Sequence, residues 1–200
     1  MVQTHVDAAR LARKGGAGMS HNCSSVERID RHMSIAGLMT TDRFMVREFT
    51  EHDREAFIAC HMDPEFSRFH LESERGAAHA SSVFDLFLLW QREEPRLNYQ
   101  LAVAPRDDPK TYLGNVGVRM GGLAPGQADL GIELISSCWG NGAATEIMAA
   151  ILPWATRRFG LTTFIAETAI ENAAAEQLAR KTGLRQFSMG EKRMWRSDRG

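Results

Sequence analysis

The sequence predicts a mixed α/β (α+β) domain in which strands outnumber helices and three consecutive strands form an antiparallel meander. Three observations carry this. Residues 99–104, 112–120 and 129–135 are short apolar or alternating runs separated by Pro- and Gly-containing loops, the pattern of neighbouring strands. Residues 51–62, 81–92 and the stretch from Thr145 onward read as helices. A turn, Gly140-Asn141-Gly142, joins the last of those strands to the third helix.

The elements follow in order from Phe44. The first strand spans 44–49. Thr50 caps a helix over 51–62, which Asp63-Pro64 ends. A polar segment runs to Ala80. Over 81–92, Val83, Phe84, Phe87, Leu88 and Trp90 gather on the inner side, and Pro95 stops the helix. The polar loop 105–110 joins the strands on either side of it, and Gly121-Gly122 to Gly126 turns the chain into the strand at 129–135. Pro153 lies inside the next helix, where it removes a backbone hydrogen bond and crowds the carbonyl of Ala149. A bend is expected there, with Ile147, Ile151, Ala155 and Phe159 still facing the sheet. Residues 162–169 are rich in β-branched and aromatic types and form a strand. Asn172 caps a helix over 173–181, stopped by Gly183, and the last strand spans 187–195. Residues 1–40 lack sustained apolar periodicity, although 6–13 can form a short helix. They read as a flexible N-terminal extension or a start-site remnant ahead of a folded domain over 41–200.

The glycine turn is the strongest chemical signal. Glycines let backbone approach a ligand with no Cβ between. The first-turn amides of the following helix lack partners within it and point outward. The helix dipole adds roughly half a positive charge there, so a phosphate binds readily. The phosphate loop of nucleoside-triphosphate hydrolases needs a Lys after its last Gly, and here Ala143 and Ala144 follow Gly142. A dinucleotide fingerprint needs Gly or Ala where Thr145 stands, and an early place in the chain.

Composition excludes several classes. With 44% hydrophobic and 24% charged residues and a net charge of -1, the chain is an ordinary globular one without the basic patch of a nucleic-acid binder. No apolar run approaches the ~20 residues that span a bilayer. No apolar leader opens the chain, and Cys23, Cys60 and Cys138 are scattered, with no Cys-x-x-Cys. A reducing cytoplasmic location is expected, with no membrane partner. His52, His61, His70 and His79 recur every nine residues, not at the i,i+4 spacing of a zinc helix. They read as surface or substrate-cleft residues, and no metal is expected.

Two motifs in order carry a resemblance. Trp139-Gly140-Asn141-Gly142-Ala143-Ala144 is followed by Asn172, Leu178, Lys181, Gly183 and Leu184 in an Asn-x5-Leu-x2-Lys-x-Gly-Leu spacing. Together with the opening at 44–53, they make residues 41–196 resemble the GCN5-related N-acetyltransferase (GNAT) superfamily, in its RimJ/RimL-like branch. The resemblance implies a central, mostly antiparallel sheet of six to seven strands, splayed between strands four and five and flanked by about four helices. It implies acetyl-CoA as cosubstrate, with Trp139, Gly140, Asn141, Gly142, Ala143 and Ala144 receiving the pyrophosphate. Main-chain groups at Leu134 and Ile135 would pair with the pantetheine arm and supply an oxyanion donor, and Asn172 would hold that arm while also capping its helix. The acceptor would be a primary amine: a protein N-terminus, an amino acid, a polyamine or an amine-bearing antibiotic. A homodimer is common in such families.

Acetyl transfer needs a neutral amine, an oxyanion donor and an outlet for the thiolate. Glu133 and Glu167 are the candidate bases. Each can equally be a solvated strand residue or an ion-pair partner. Many relatives carry a Tyr and some a Ser after the Asn, where this chain has Ala179 and Ala175. An acyl-CoA-binding sensor module with little turnover is therefore the alternative. Cys138, just before a helix, is a conceivable acyl acceptor, but a packing role fits it better.

Overall fold

The computed structural model describes residues 37–198. The expected N-terminal extension, including the short helix over 6–13, lies outside the described residues except for 37–40, which pair into the sheet. The strands are β1 (Gly37–Thr40), β2 (Phe44–Arg47), β3 (Asn98–Pro105), β4 (Gly114–Arg119), β5 (Gln127–Leu134), β6 (Thr163–Ala169), β7 (Arg185–Met189) and β8 (Lys192–Asp198). The α-helices are α1 (Arg54–Met62), α2 (Pro64–Ser67), α3 (Ala77–Trp90), α4 (Ala143–Phe159) and α5 (Ala173–Lys181).

The strands among the described residues form one sheet of eight, ordered β1-β2-β3-β4-β5-β6-β8-β7. The count exceeds the expected six to seven for two reasons. Residues 37–40 add an edge strand. The single C-terminal strand expected over 187–195 is a hairpin, because the chain reverses at Gly190, whose N–H donates to the Lys192 carbonyl. Helix α3 also starts earlier than expected, at Ala77, after Gly76 takes a positive φ of 100°.

Every neighbouring pair is antiparallel except β5 and β6. These two are parallel and pair only over Gln127–Asp129 with Thr163–Ile165. Beyond Asp129, β5 stays on β4 as far as Leu134, while β6 stays on β8 as far as Ala169. The strands therefore part, and this is the expected splay; the added β1 shifts its numbering by one.

The sheet separates two cores. On one face Leu130, Ile132 and Leu134 pack with Ile147, Ile151 and Ala155 of α4 and Leu178 of α5. Helix α4 runs through Pro153 without interruption to Phe159, which is half-buried against Tyr99 and Trp154. On the other face Phe49, Phe57, Phe84, Phe87, Trp90 and Tyr112 form an aromatic core under α1 and α3. Helix α1 is tied down by a buried fork: Arg47 Nη1 and Nη2 donate to Asp53 at 2.8 and 2.6 Å. The Thr50 amide and hydroxyl donate to the same carboxylate.

Candidate active site

One cleft opens at the splay. It is lined by Ile132 and Leu134 of β5, Cys138 to Thr145 apart from Asn141, and Asn172, Leu178 and Lys181 of α5, with Arg68 and Phe69 across it. The glycine turn forms its floor. Gly140 and Gly142 sit at φ 72° and 81°, the left-handed region that L residues avoid. The Trp139 amide donates to Ser136 and the Ala143 amide to Asn141 Oδ1. The amides of Gly140, Asn141, Gly142, Ala144 and Thr145 have no partner among the described residues. Trp139 is fixed from both sides: its Nε1 donates to the Leu134 carbonyl at 2.7 Å, and the Arg68 guanidinium lies 5.2 Å from its ring centroid. Arg43 braces the turn by donating to Asn141 O at 3.2 Å and to Glu146 Oε2 at 2.7 Å.

Asn172 is 2% exposed, and its Oδ1 accepts from the Ala175 amide at 3.0 Å. It caps α5 and lines the cleft together. Ile135 differs from expectation. Its amide donates to Leu113 O, so that donor is spent, and its carbonyl already accepts from Cys138. With that bond fixing which antiparallel pairs exchange hydrogen bonds, alternation turns the Leu134 and Ile132 amides away from β4, toward the splay.

A second cavity lies on the opposite face of β5, under α1 and α3. Glu133, Asn115, His61, His70, Glu74 and His79 are among its walls. Glu133 is 16% exposed at its side chain. Burial pushes its carboxyl up, but the hydrogen bond and charge of His70, with lesser help from His61 and Asn115, overcome this and hold it at about 2. The carboxylate is one end of a buried chain. Asn115 Nδ2 reaches Glu133 Oε2 at 3.5 Å and Tyr112 Oη at 3.0 Å, Gln100 Nε2 donates to Asn115 Oδ1 at 2.6 Å, and Arg119 Nη1 donates to Gln100 at 3.0 Å. A Cβ at Gly117 would collide with Gln100 Oε1, so this glycine keeps the crossing open.

A family model for the Acetyltransferase (GNAT) domain matches residues 43–185. The chain belongs to the GNAT acetyltransferases. It is an acyltransferase by that membership. Among curated proteins it is 27% identical over 147 residues to the uncharacterized N-acetyltransferase YoaA of Bacillus subtilis, covering 73% of this chain and 81% of that one. Solved structures share the fold at lower identity. An acetyltransferase from Agrobacterium tumefaciens has TM-score 0.65 at 20% identity, covering 86% of this chain and 99% of that one. RimL, a ribosomal L7/L12 α-N-protein acetyltransferase solved with coenzyme A, has TM-score 0.67 at 12% identity, covering 82% and 98%. Spermidine N-acetyltransferase from Vibrio cholerae, solved with CoA and spermine, has TM-score 0.63 at 12% identity, covering 78% and 95%.

Within this GNAT chain the two expected carboxylates part company. Glu167 forms an ion pair with Lys192 at 3.7 Å and is not among the residues lining the Glu133 cavity. Burial raises the Cys138 thiol pKa, and the side chain belongs to the core cluster, in keeping with a packing role. The residues that sequence reasoning missed are His61 and His70 as a cluster. Their rings stack at 5.6 Å, and with Glu133 they bring three ligand-type atoms within 4.8 Å of one another. The nine-residue histidine spacing held no sign of this, because the turn after α2 folds His70 back onto His61.

Proposed function

We propose that the protein transfers an acetyl group from acetyl-CoA to a primary amine, by direct attack with both substrates bound at once. The carrying observation is that neighbouring residues of one short piece of chain line two cavities. Ile132 and Leu134 line the splay cleft while Glu133 lines the cavity behind it, and Ile132 lines both. Likewise Arg68 and Phe69 face the cleft and His70 the cavity. A thioester in one cavity and an amine in the other would meet between residues 68–70 and 132–134, and such positioning alone can supply roughly 7–11 kcal/mol of barrier reduction.

The open amides of Gly140, Asn141, Gly142, Ala144 and Thr145 suit a diphosphate at a helix start. Arg68 and Lys181 add positive charge to the same cleft. Trp139 and Ala143 would wall it, and Asn172 would hold the pantetheine side. The Leu134 amide, rather than that of Ile135, would donate to the developing oxyanion. Of the two candidate carboxylates, Glu133 lines the cavity proposed for the amine, which favours it over Glu167. The neighbours named for spermidine and for a ribosomal protein N-terminus support an amine acceptor of the polyamine or peptide kind, and the likeness to RimL supports the RimJ/RimL-like branch.

Calorimetry with coenzyme A, followed by thiol release from acetyl-CoA over a panel of polyamines, amino acids and peptides, tests this. Binding with steady, burst-free thiol release on at least one amine is expected. No heat with coenzyme A would overturn the cleft assignment. Tight binding without turnover on any amine would favour a sensor module.

A further inference from the structure

We propose that His70 is the catalytic base of this enzyme, held by Glu133 in the tautomer that accepts the amine proton. The inference rests on the acetyl-transfer reading above and adds a catalytic residue to it. The geometry is that of an oriented imidazole. His70 Nε2 lies 3.2 Å from Glu133 Oε1, and its side chain is 7% exposed. An ionised carboxylate only accepts, so Nε2 carries the hydrogen and donates it. In the neutral ring the lone pair is then on Nδ1, which is buried and has no partner among the described residues. A buried polar atom without a partner is rare and calls for a ligand.

The rest of the surroundings lock the ring. His61 stacks on it with an interplanar angle of 10°, and Phe66 packs at 5.8 Å. His61 is itself fixed by donation from Nδ1 to the Phe57 carbonyl at 2.9 Å, and burial pushes its pKa down, favouring the neutral form. Arg75 donates to the His70 carbonyl at 3.0 Å, pinning the backbone. The charged or titratable groups around His70 are Glu133 from β5, His61 from α1, Arg75 at its backbone, and, among the other cavity residues, Glu74, His79 from α3 and Arg119 from β4. Glu133 with a pKa of about 2 is too weakly basic to take a proton from an ammonium group by itself. Its part is to orient His70 and to stabilise the imidazolium, the division of labour of a carboxylate–histidine pair.

The balance closes without a further acid. The ammonium of the acceptor gives one proton to His70 Nδ1. The neutral amine nitrogen forms a bond to the thioester carbon, whose carbonyl electrons move to oxygen. The C–S bond breaks as the carbonyl re-forms, with sulfur taking the electron pair. The second proton leaves nitrogen for that sulfur, giving amide and free thiol, and His70 returns its proton to water. The absence of a tyrosine at Ala179 is then no obstacle.

The test is the pH dependence of kcat/KM from about pH 6 to about pH 10 for wild type, His70→Ala, His70→Gln and Glu133→Gln. The probe is whichever of spermidine, free amino acids or short peptides the wild type turns over fastest. Coenzyme A calorimetry and thermal melts report folding. His70→Ala should lose ~10²–10⁴-fold near neutral pH, mainly in kcat. The deficit should shrink toward about tenfold at the alkaline end, as more of the substrate is already neutral, and added imidazole should restore part of the rate. Glu133→Gln should lose less, with its acid limb moved. An equal loss at every pH, or no loss, would overturn the base assignment while leaving acetyl transfer intact. If His70→Ala fails to fold, His70→Gln reads the same profile. Wild type that binds coenzyme A and acetylates nothing would sink the underlying reading instead.

Discussion

Gly142→Glu separates the two things the glycine turn does. Gly142 sits at φ 81° and ψ 2°, and the nearest atom to a Cβ placed there is Arg43 Nη2 at 3.9 Å. Space is therefore not the issue. Any L residue carries only the left-handed backbone penalty, roughly 1–2 kcal/mol. Glutamate adds a charge in front of the open amides. At about 4 Å from one phosphate charge, the repulsion is ~1 kcal/mol at the dielectric of water and ~4 kcal/mol at the value typical near a protein surface. Arg43 cannot readily neutralise it, because its guanidinium is already held by Glu146 and the Asn141 carbonyl.

The comparison is with Gly142→Gln, which has the same backbone strain and nearly the same shape. Calorimetric titration of coenzyme A should show the Glu variant weaker than the Gln variant by about five- to a thousandfold. The gap should narrow as ionic strength rises. The two melting temperatures should agree within a few degrees, since both carry the same penalty. Equal affinity of the Glu and Gln variants would refute the reasoning, because it would mean that no phosphate lies over this turn.

Other outcomes follow from the same geometry. Asp53→Ala leaves Arg47 buried without its carboxylate and should destabilise the fold by about 3–5 kcal/mol in urea unfolding. Glu133, lowered from 4.5 to about 2, contributes stability that is present above its unfolded value and lost as pH falls from about 4.5 toward 2. At 1.36 kcal/mol per unit this is at most about 3 kcal/mol, and Glu133→Gln should flatten urea midpoints across that acid window.

What the sequence could say about the site depended on how far apart in the chain its parts lie. The coenzyme side is local. A strand, a left-handed glycine pair and a helix start occupy one stretch from Leu134 to Thr145, and Asn172 to Lys181 is one capped helix whose bounds coincide with the expected ones. Local chemistry dictates each of these, so reading residues in order suffices. Errors there were errors of pairing. Ile135 looked like Leu134 in the sequence, and only the hydrogen bond to Leu113 shows which amide is spent. Likewise the hairpin at Gly190 carries little apolar contrast, because every residue of β7 is exposed.

The acceptor side is assembled from α1, the turn after α2, α3, and three strands, and no local pattern encodes that meeting. Glu133 and Glu167 sit at matching alternation on splayed neighbours, so periodicity alone could not rank them. Tertiary partners do. Lys192 on β8 faces Glu167, whereas Asn115 on β4 and His70 on the α2 turn face Glu133. The cross-strand register makes this necessary: Asn115 is opposite Glu133 on β4 and Gln100 opposite Gly117 on β3, so the polar chain crosses the sheet only where a glycine leaves room. A buried chain of this kind is costly unless every member is paired. Its one open end is the unpartnered Nδ1 of His70, a residue that lines the cavity proposed for the amine. That placement ties the energetics of the fold to the chemistry proposed for it: the network is complete only when something that can give a proton occupies the cavity.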